Sequence, residues 1–114
     1  MVLYRPVGTK ELDLIKESGY CRFPPRLPEQ PIFYPVLTER YAAEIASGWN
    51  VKYNDDHKGY VVKFEIDDAY CRQFEVHQVG DSYHKELWVP AESLDEFNAQ
   101  IIGRISVVSV FSDN

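Results

Sequence analysis

The types and spacing of its reactive side chains exclude most familiar catalytic arrangements from this 114-residue chain. Cys21, His57, Cys71, His77 and His84 show none of the paired spacings of a structural zinc site, so no metal is expected. A G-x-S-x-G nucleophile elbow and a GxxxxGK phosphate loop are both missing. Cys71 with His77 or His84 is the one pairing that could activate a thiol, and nothing in the local sequence supports it. Asp55-Asp56 and Asp67-Asp68 are paired carboxylates in turn contexts, where Asp caps and closes turns. Three places remain: Tyr4-Arg5, Phe33-Tyr34-Pro35, and His84-Lys85-Glu86-Leu87-Trp88. They supply a guanidinium fork suited to phosphate or hydroxyl-rich groups, a stacking surface, and a carboxylate.

Each of these must be held by a regular element. Val2 to Arg5 reads as a first strand ended by Pro6 and Gly8, and Thr9 to Ser18 as a helix stopped by Gly19. Cys21 to Pro31 contains four prolines in eleven residues, so it reads as a stiff, irregular loop made locally basic by Arg22 and Arg26. Ile32 to Leu37 is a second strand, kept short or at an edge by Pro35. Thr38 is the expected N-cap of a helix running to about Ser47, with Gly48 closing it and Trp49 folded back on its last turn. Asn50 to Gly59 reads as a polar loop.

Tyr60 to Ile66 is the clearest strand, with Tyr60, Val62, Phe64 and Ile66 on one face. Asp67-Asp68 marks a turn or short helix. Phe74 to Val79 and Tyr83 to Val89 are further strands around Gly80-Asp81, the latter placing His84, Glu86 and Trp88 together on one face. Ser93-Leu94-Asp95-Glu96 has capping-box spacing and opens a helix that Gly103 is expected to stop. Ile105 to Phe111 is the last strand. The order β-α-β-α-β-β-β-α-β predicts an α+β domain, two packed and mainly antiparallel sheets with about three short helices, over residues 1–114.

Composition narrows the function classes. Two Trp, eight Tyr and six Phe argue against disorder. Twelve Lys and Arg against 18 Asp and Glu give a formal charge of −6, so binding to duplex nucleic acid is not expected. No apolar run reaches membrane-spanning length, and the start, Met1 to Pro6, lacks the build of a signal peptide. The expected setting is cytoplasmic, with Cys21 and Cys71 reduced and buried.

The order of the three remaining places resembles the ADP-ribosyltransferase fold. That fold carries an Arg or His after an aromatic in its first strand, an aromatic pair before a helix with an A-x-x-x-A-like run, and a Glu on a late strand continuing into V-P. This chain has Leu3-Tyr4-Arg5, then Ile32-Phe33-Tyr34-Pro35 before a helix with Ala42 and Ala46, then Glu86-Leu87-Trp88-Val89-Pro90. From Leu3 to about Val108 it also resembles a group of short, uncharacterised bacterial proteins with an ADP-ribosylation label. The resemblance implies NAD as donor substrate, with Glu86, Arg5 and Tyr34 as catalytic residues. Glu86 would stabilise an oxocarbenium-like ribose centre; Tyr4, Arg5, Phe33, Tyr34 and His84 would line the NAD site. Local charge adds Arg22 and Arg26 for the pyrophosphate. Pro35 stands where the family has a hydroxyl residue, and His84 precedes Glu86 where transfer to arginine uses Glu or Gln. The acceptor, protein or other, is left open. Three bland expectations stand beside these: Arg5 as a surface ion-pair partner, Tyr34 as core, and Glu86 as a surface residue. A non-catalytic interaction or regulatory module on the same fold is the alternative function, followed by a sugar- or nucleotide-binding domain without turnover.

Overall fold

The computed structural model describes residues 1–113. Six strands and five α-helices follow one another as β1 (Val2–Val7), α1 (Thr9–Glu17), β2 (Ile32–Phe33), α2 (Glu39–Ile45), α3 (Val51–Tyr53), β3 (Lys58–Ile66), α4 (Asp68–Cys71), β4 (Glu75–Gln78), β5 (Lys85–Pro90), α5 (Leu94–Ala99) and β6 (Ile101–Ser112). Two three-stranded antiparallel sheets form, ordered β1-β3-β6 and β2-β5-β4. The α+β class and the antiparallel pairing agree with the sequence pattern.

The two sheets meet at one residue. Val36, three residues past β2, exchanges both backbone hydrogen bonds with Tyr4 of β1 and bridges to Glu86 of β5. Strands therefore run β4-β5-β2-β1-β3-β6 through that segment. Pro35 explains why β2 is so short: it has no N–H, and its carbonyl accepts from Leu87 N at 2.9 Å. Pro6 lies inside β1, which is tolerated because β1 has β3 along one side and only the Val36 bridge on the other.

Period-two alternation on β3 builds two cores. Val62, Phe64 and Ile66 face a cluster with Leu3, Val7, Phe33, Leu87 and Val89, so both sheets share it. Val61 faces the other way, against Val36, Ala42 and Ala46. Phe97 of α5 is fully buried and stands within 6.3 Å of the Phe33, Phe64, Tyr70 and Phe74 rings.

Several local expectations are corrected. Gly48 does not stop α2; the chain continues through a π-helical turn at Ala46–Asn50 into α3, so Asn50 to Tyr53 is helical rather than loop. Trp49 is exposed and lies against Tyr53 in a tilted ring pair, centroids 4.4 Å apart, instead of folding back on the helix. Gly103 (φ 73°) does not end a helix but lies within β6, which begins at Ile101; its left-handed backbone adjoins a register shift against β3. Ser93 caps nothing with its side chain, because a 3-10 turn at Ala91–Ser93 replaces the capping box. Cys21 is exposed, not buried; only Cys71 is a core thiol, and both are free. Short helices number more than the three expected, since α3 and α4 add to them. Gly19 (φ 77°) does end α1, and Thr38 does cap α2 by accepting from Tyr41 N at 3.2 Å.

The π-helical turn packs directly on β3 at Gly59. A Cβ there would meet the Ala46 carbonyl oxygen at 2.5 Å and Asn50 Cβ at 2.7 Å. A backbone carbonyl cannot swing away as a side-chain tip can. Gly59→Ala is therefore expected to cost about 1–3 kcal/mol of stability, measured as a shifted urea midpoint with an unchanged slope. A variant as stable as the parent would mean that β3 and the turn are not in this contact.

Candidate active site

β5 sets up the carboxylate. Its alternation sends Leu87 and Val89 into the core and leaves Glu86 and Trp88 on the opposite face. Glu86 is only 9 % exposed, which rules out the surface reading. Tyr41 OH donates to Glu86 Oε2 at 2.6 Å and Trp88 Nε1 donates to Oε1 at 3.0 Å. Both partners are neutral. No cation pairs with Glu86 among the described residues. Each oxygen keeps a further lone pair, so the carboxylate can accept from a ligand hydroxyl while both anchoring bonds persist. Burial first, and the bond to Glu86 second, hold the Tyr41 phenol well above its ordinary pKa.

Around this carboxylate the sheet face is aromatic. His77, opposite Glu86 in the β4–β5 register, stacks on Trp88 with ring centroids 3.8 Å apart. His84 packs its ring 4.6 Å from Tyr41, and its Nε2 lies 3.1 Å from Glu44 Oε1. Tyr83 OH also donates to Glu44, and Arg40 sits over the Tyr83 ring at 4.0 Å. The Tyr83 phenol first and the His84 ring second hold the Glu44 carboxyl below its ordinary range. His84 is thus committed to a surface network beside the site.

β1 and the proline-rich loop supply the cations. Arg5 is 7 % exposed, so it is no surface residue. Its Nε and Nη2 donate to the two oxygens of Glu11 at 2.7 and 3.0 Å, leaving Nη1 without a partner among the described residues. Burial works against the Arg5 charge, and Glu11 more than offsets it, so its pKa is raised. Arg5 Cζ lies 4.7 Å from the Phe33 ring centroid and 5.8 Å from that of Tyr34. Arg26 joins the same ring system, 5.8 Å from Phe33.

Tyr34 lies beside Arg5. At 41 % exposure it is no core residue, contrary to the bland expectation. Its ring centroid lies 5.8 Å from Arg5 Cζ. Phe33 is wholly buried and forms a floor for the guanidiniums rather than a ligand surface. Tyr4 pairs with Val36, which pairs with Glu86, so Tyr4 shares the face of Glu86, whereas Arg5, the next residue, alternates to the opposite face with Leu3 and Val7; the register does not bring Arg5 and Glu86 together.

Arg22 is the outlier. It lines a separate cavity of about 320 Å³ with Glu17, Ser18 and Pro24, away from the other candidates. A larger cavity of about 420 Å³ is lined by Thr9, Tyr53, Asn54 and Asp56 among others, and contains none of the expected residues. Neither cavity is lined by Arg5, Tyr34 or Glu86. No group of three potential metal ligands occurs among the described residues.

Sequence reasoning missed Glu11 and Tyr41. Tyr41 reads as one more residue of a core-facing helix stripe; its signal is the Thr38 cap, which fixes where the helix begins. Glu11 carries no local signal, because its pairing with Arg5 depends on how α1 folds back along β1. No family model, curated protein or solved structure matches the chain.

Proposed function

We propose that the protein uses NAD as a donor substrate in ADP-ribosyl transfer or, with water as acceptor, in NAD hydrolysis. The observation that carries this reading is the Glu86 carboxylate: nearly buried, fixed by two neutral donors, and without a cationic partner among the described residues. Cleaving the bond between nicotinamide and ribose sends the electron pair out with nicotinamide and leaves positive charge on the ribose carbon and ring oxygen. A preorganised carboxylate stabilises that charge as it develops. Glu86 accepts from the ribose 2′-hydroxyl, and its charge faces the oxocarbenium-like centre. The exposed Tyr34 and Trp88 rings offer stacking surface for nicotinamide. An acceptor oxygen or nitrogen then adds to the ribose carbon and gives up its proton.

Arg5 enters differently from the sequence expectation. With Nε and one Nη2 hydrogen held by Glu11, it keeps Nη1 and the second Nη2 hydrogen, and its plane packs against Phe33 and Tyr34. This same pairing is what favours the second reading, a non-catalytic module, since Glu11 already compensates the guanidinium's charge. One assay separates the two: the folded protein is incubated with millimolar NAD and nicotinamide is measured over hours. Release of nicotinamide above the rate of NAD alone is expected. Release at the background rate would leave the non-catalytic module as the better account.

A further inference from the structure

We infer that Arg26, with the free edge of Arg5, forms a binding site for the diphosphate of a dinucleotide; this rests on the NAD reading above. Arg26 Nε is enclosed and has no hydrogen-bond partner among the described residues. No side-chain hydrogen bond or ion pair among the described residues involves its guanidinium, whose terminal nitrogens are not enclosed. A desolvated donor left unmade is costly, and more so when it is charged. Burial first and repulsion from Arg5 second lower the Arg26 pKa, with Glu11 opposing them. Two guanidiniums thus flank the Phe33 ring against the single Glu11 carboxylate. One positive charge is uncompensated at a half-buried place in a protein of net charge −6.

The loop that holds Arg26 is pinned on both sides. Phe23 is buried, and its N–H and carbonyl are both bonded to the Asn98 side chain, at 2.9 and 3.0 Å. After Arg26, Leu27 N donates to Gln30 Oε1 and Gln30 N donates to Leu27 O. Pro24, Pro25 and Pro28 stiffen what lies between. Arg26 is therefore placed in advance rather than recruited, which keeps the ordering cost of binding low. A diphosphate offers several oxygens to a planar fork.

The test is calorimetric binding of inorganic pyrophosphate and of ADP-ribose to the parent, Arg26→Ala, Arg26→Lys and Glu86→Gln proteins. Both probes are expected to bind the parent, and Arg26→Ala to bind them roughly tenfold to hundredfold more weakly. Arg26→Lys should recover only part of the loss, because an ammonium keeps the charge without the fork. Glu86→Gln should bind pyrophosphate like the parent. Melting temperatures check that each variant is folded. No pyrophosphate binding by the parent, or equal binding by Arg26→Ala, overturns the site. Pyrophosphate binding that depends on Arg26 in a protein that never releases nicotinamide keeps the anion site and removes the NAD reading.

Discussion

Arg5→Ala is expected to lose about 3–5 kcal/mol of folding stability, the range for breaking a buried ion pair by removing one partner. Glu11 would be left with both its oxygens unbonded, and it is partly exposed, which places the loss toward the lower end. Further loss comes from the guanidinium packed over Phe33. Urea unfolding gives the number directly. A loss below about 1 kcal/mol, the scale of an exposed pair, would mean that Arg5 is not buried against Glu11 as described. Replacing both partners, as in Arg5→Met with Glu11→Leu, should restore most of the stability, because the desolvation of both charges disappears with them. Any change in NAD binding by Arg5→Ala is interpretable only after this stability term has been measured.

The fold was readable where one physical signal dominated. On β3, alternation alone separates the buried Val62, Phe64 and Ile66 from the exposed Lys63 and Glu65; Val61, on the polar face, is buried as well because α2 and the π turn cover it. On β5 it separates Glu86 and Trp88 from Leu87 and Val89. Gly19 and Thr38 acted as the local stop and cap that their chemistry suggests. The signal failed where tertiary contact overrode a local preference. Gly48 reads as a stop, yet the chain stays helical through a π turn lying on Gly59 of β3, a contact with the next strand that no local propensity encodes. Gly103 reads as a stop because a left-handed glycine ends helices; the same backbone angle also serves within a long strand.

For the candidate site, residue identity was legible and partnership was not. Arg5, Tyr34 and Glu86 stand out by type and order. Whether their charges are free depends on Glu11, Tyr41 and Trp88, which reach them from α1, α2 and two residues along β5. The contrast between the two charges is the chemical content of the site. The cation at Arg5 is mostly neutralised by a carboxylate, whereas the anion at Glu86 is held only by neutral donors. Stabilisation of developing positive charge is therefore the chemistry this arrangement supports best.

Glu86→Gln should lower nicotinamide release roughly a hundredfold to a thousandfold while leaving the protein folded. The fold survives because the amide fits the same two partners. Its oxygen accepts from Trp88 Nε1, which can only donate, and its NH₂ donates to the Tyr41 oxygen, which can accept once its own proton turns away. The substitution thus removes charge with little change of shape. A second readout reports whether that charge was present: the Tyr41 phenol, held high by burial and by Glu86, should titrate at lower pH in Glu86→Gln, because phenolate no longer forms beside a carboxylate. Ultraviolet absorbance against pH follows it. A lowered Tyr41 titration with unchanged nicotinamide release would show that the carboxylate is charged and plays no part in the reaction. Loss of release with the melting temperature retained would place the negative charge, rather than the hydrogen-bonding shape, at the centre of the chemistry.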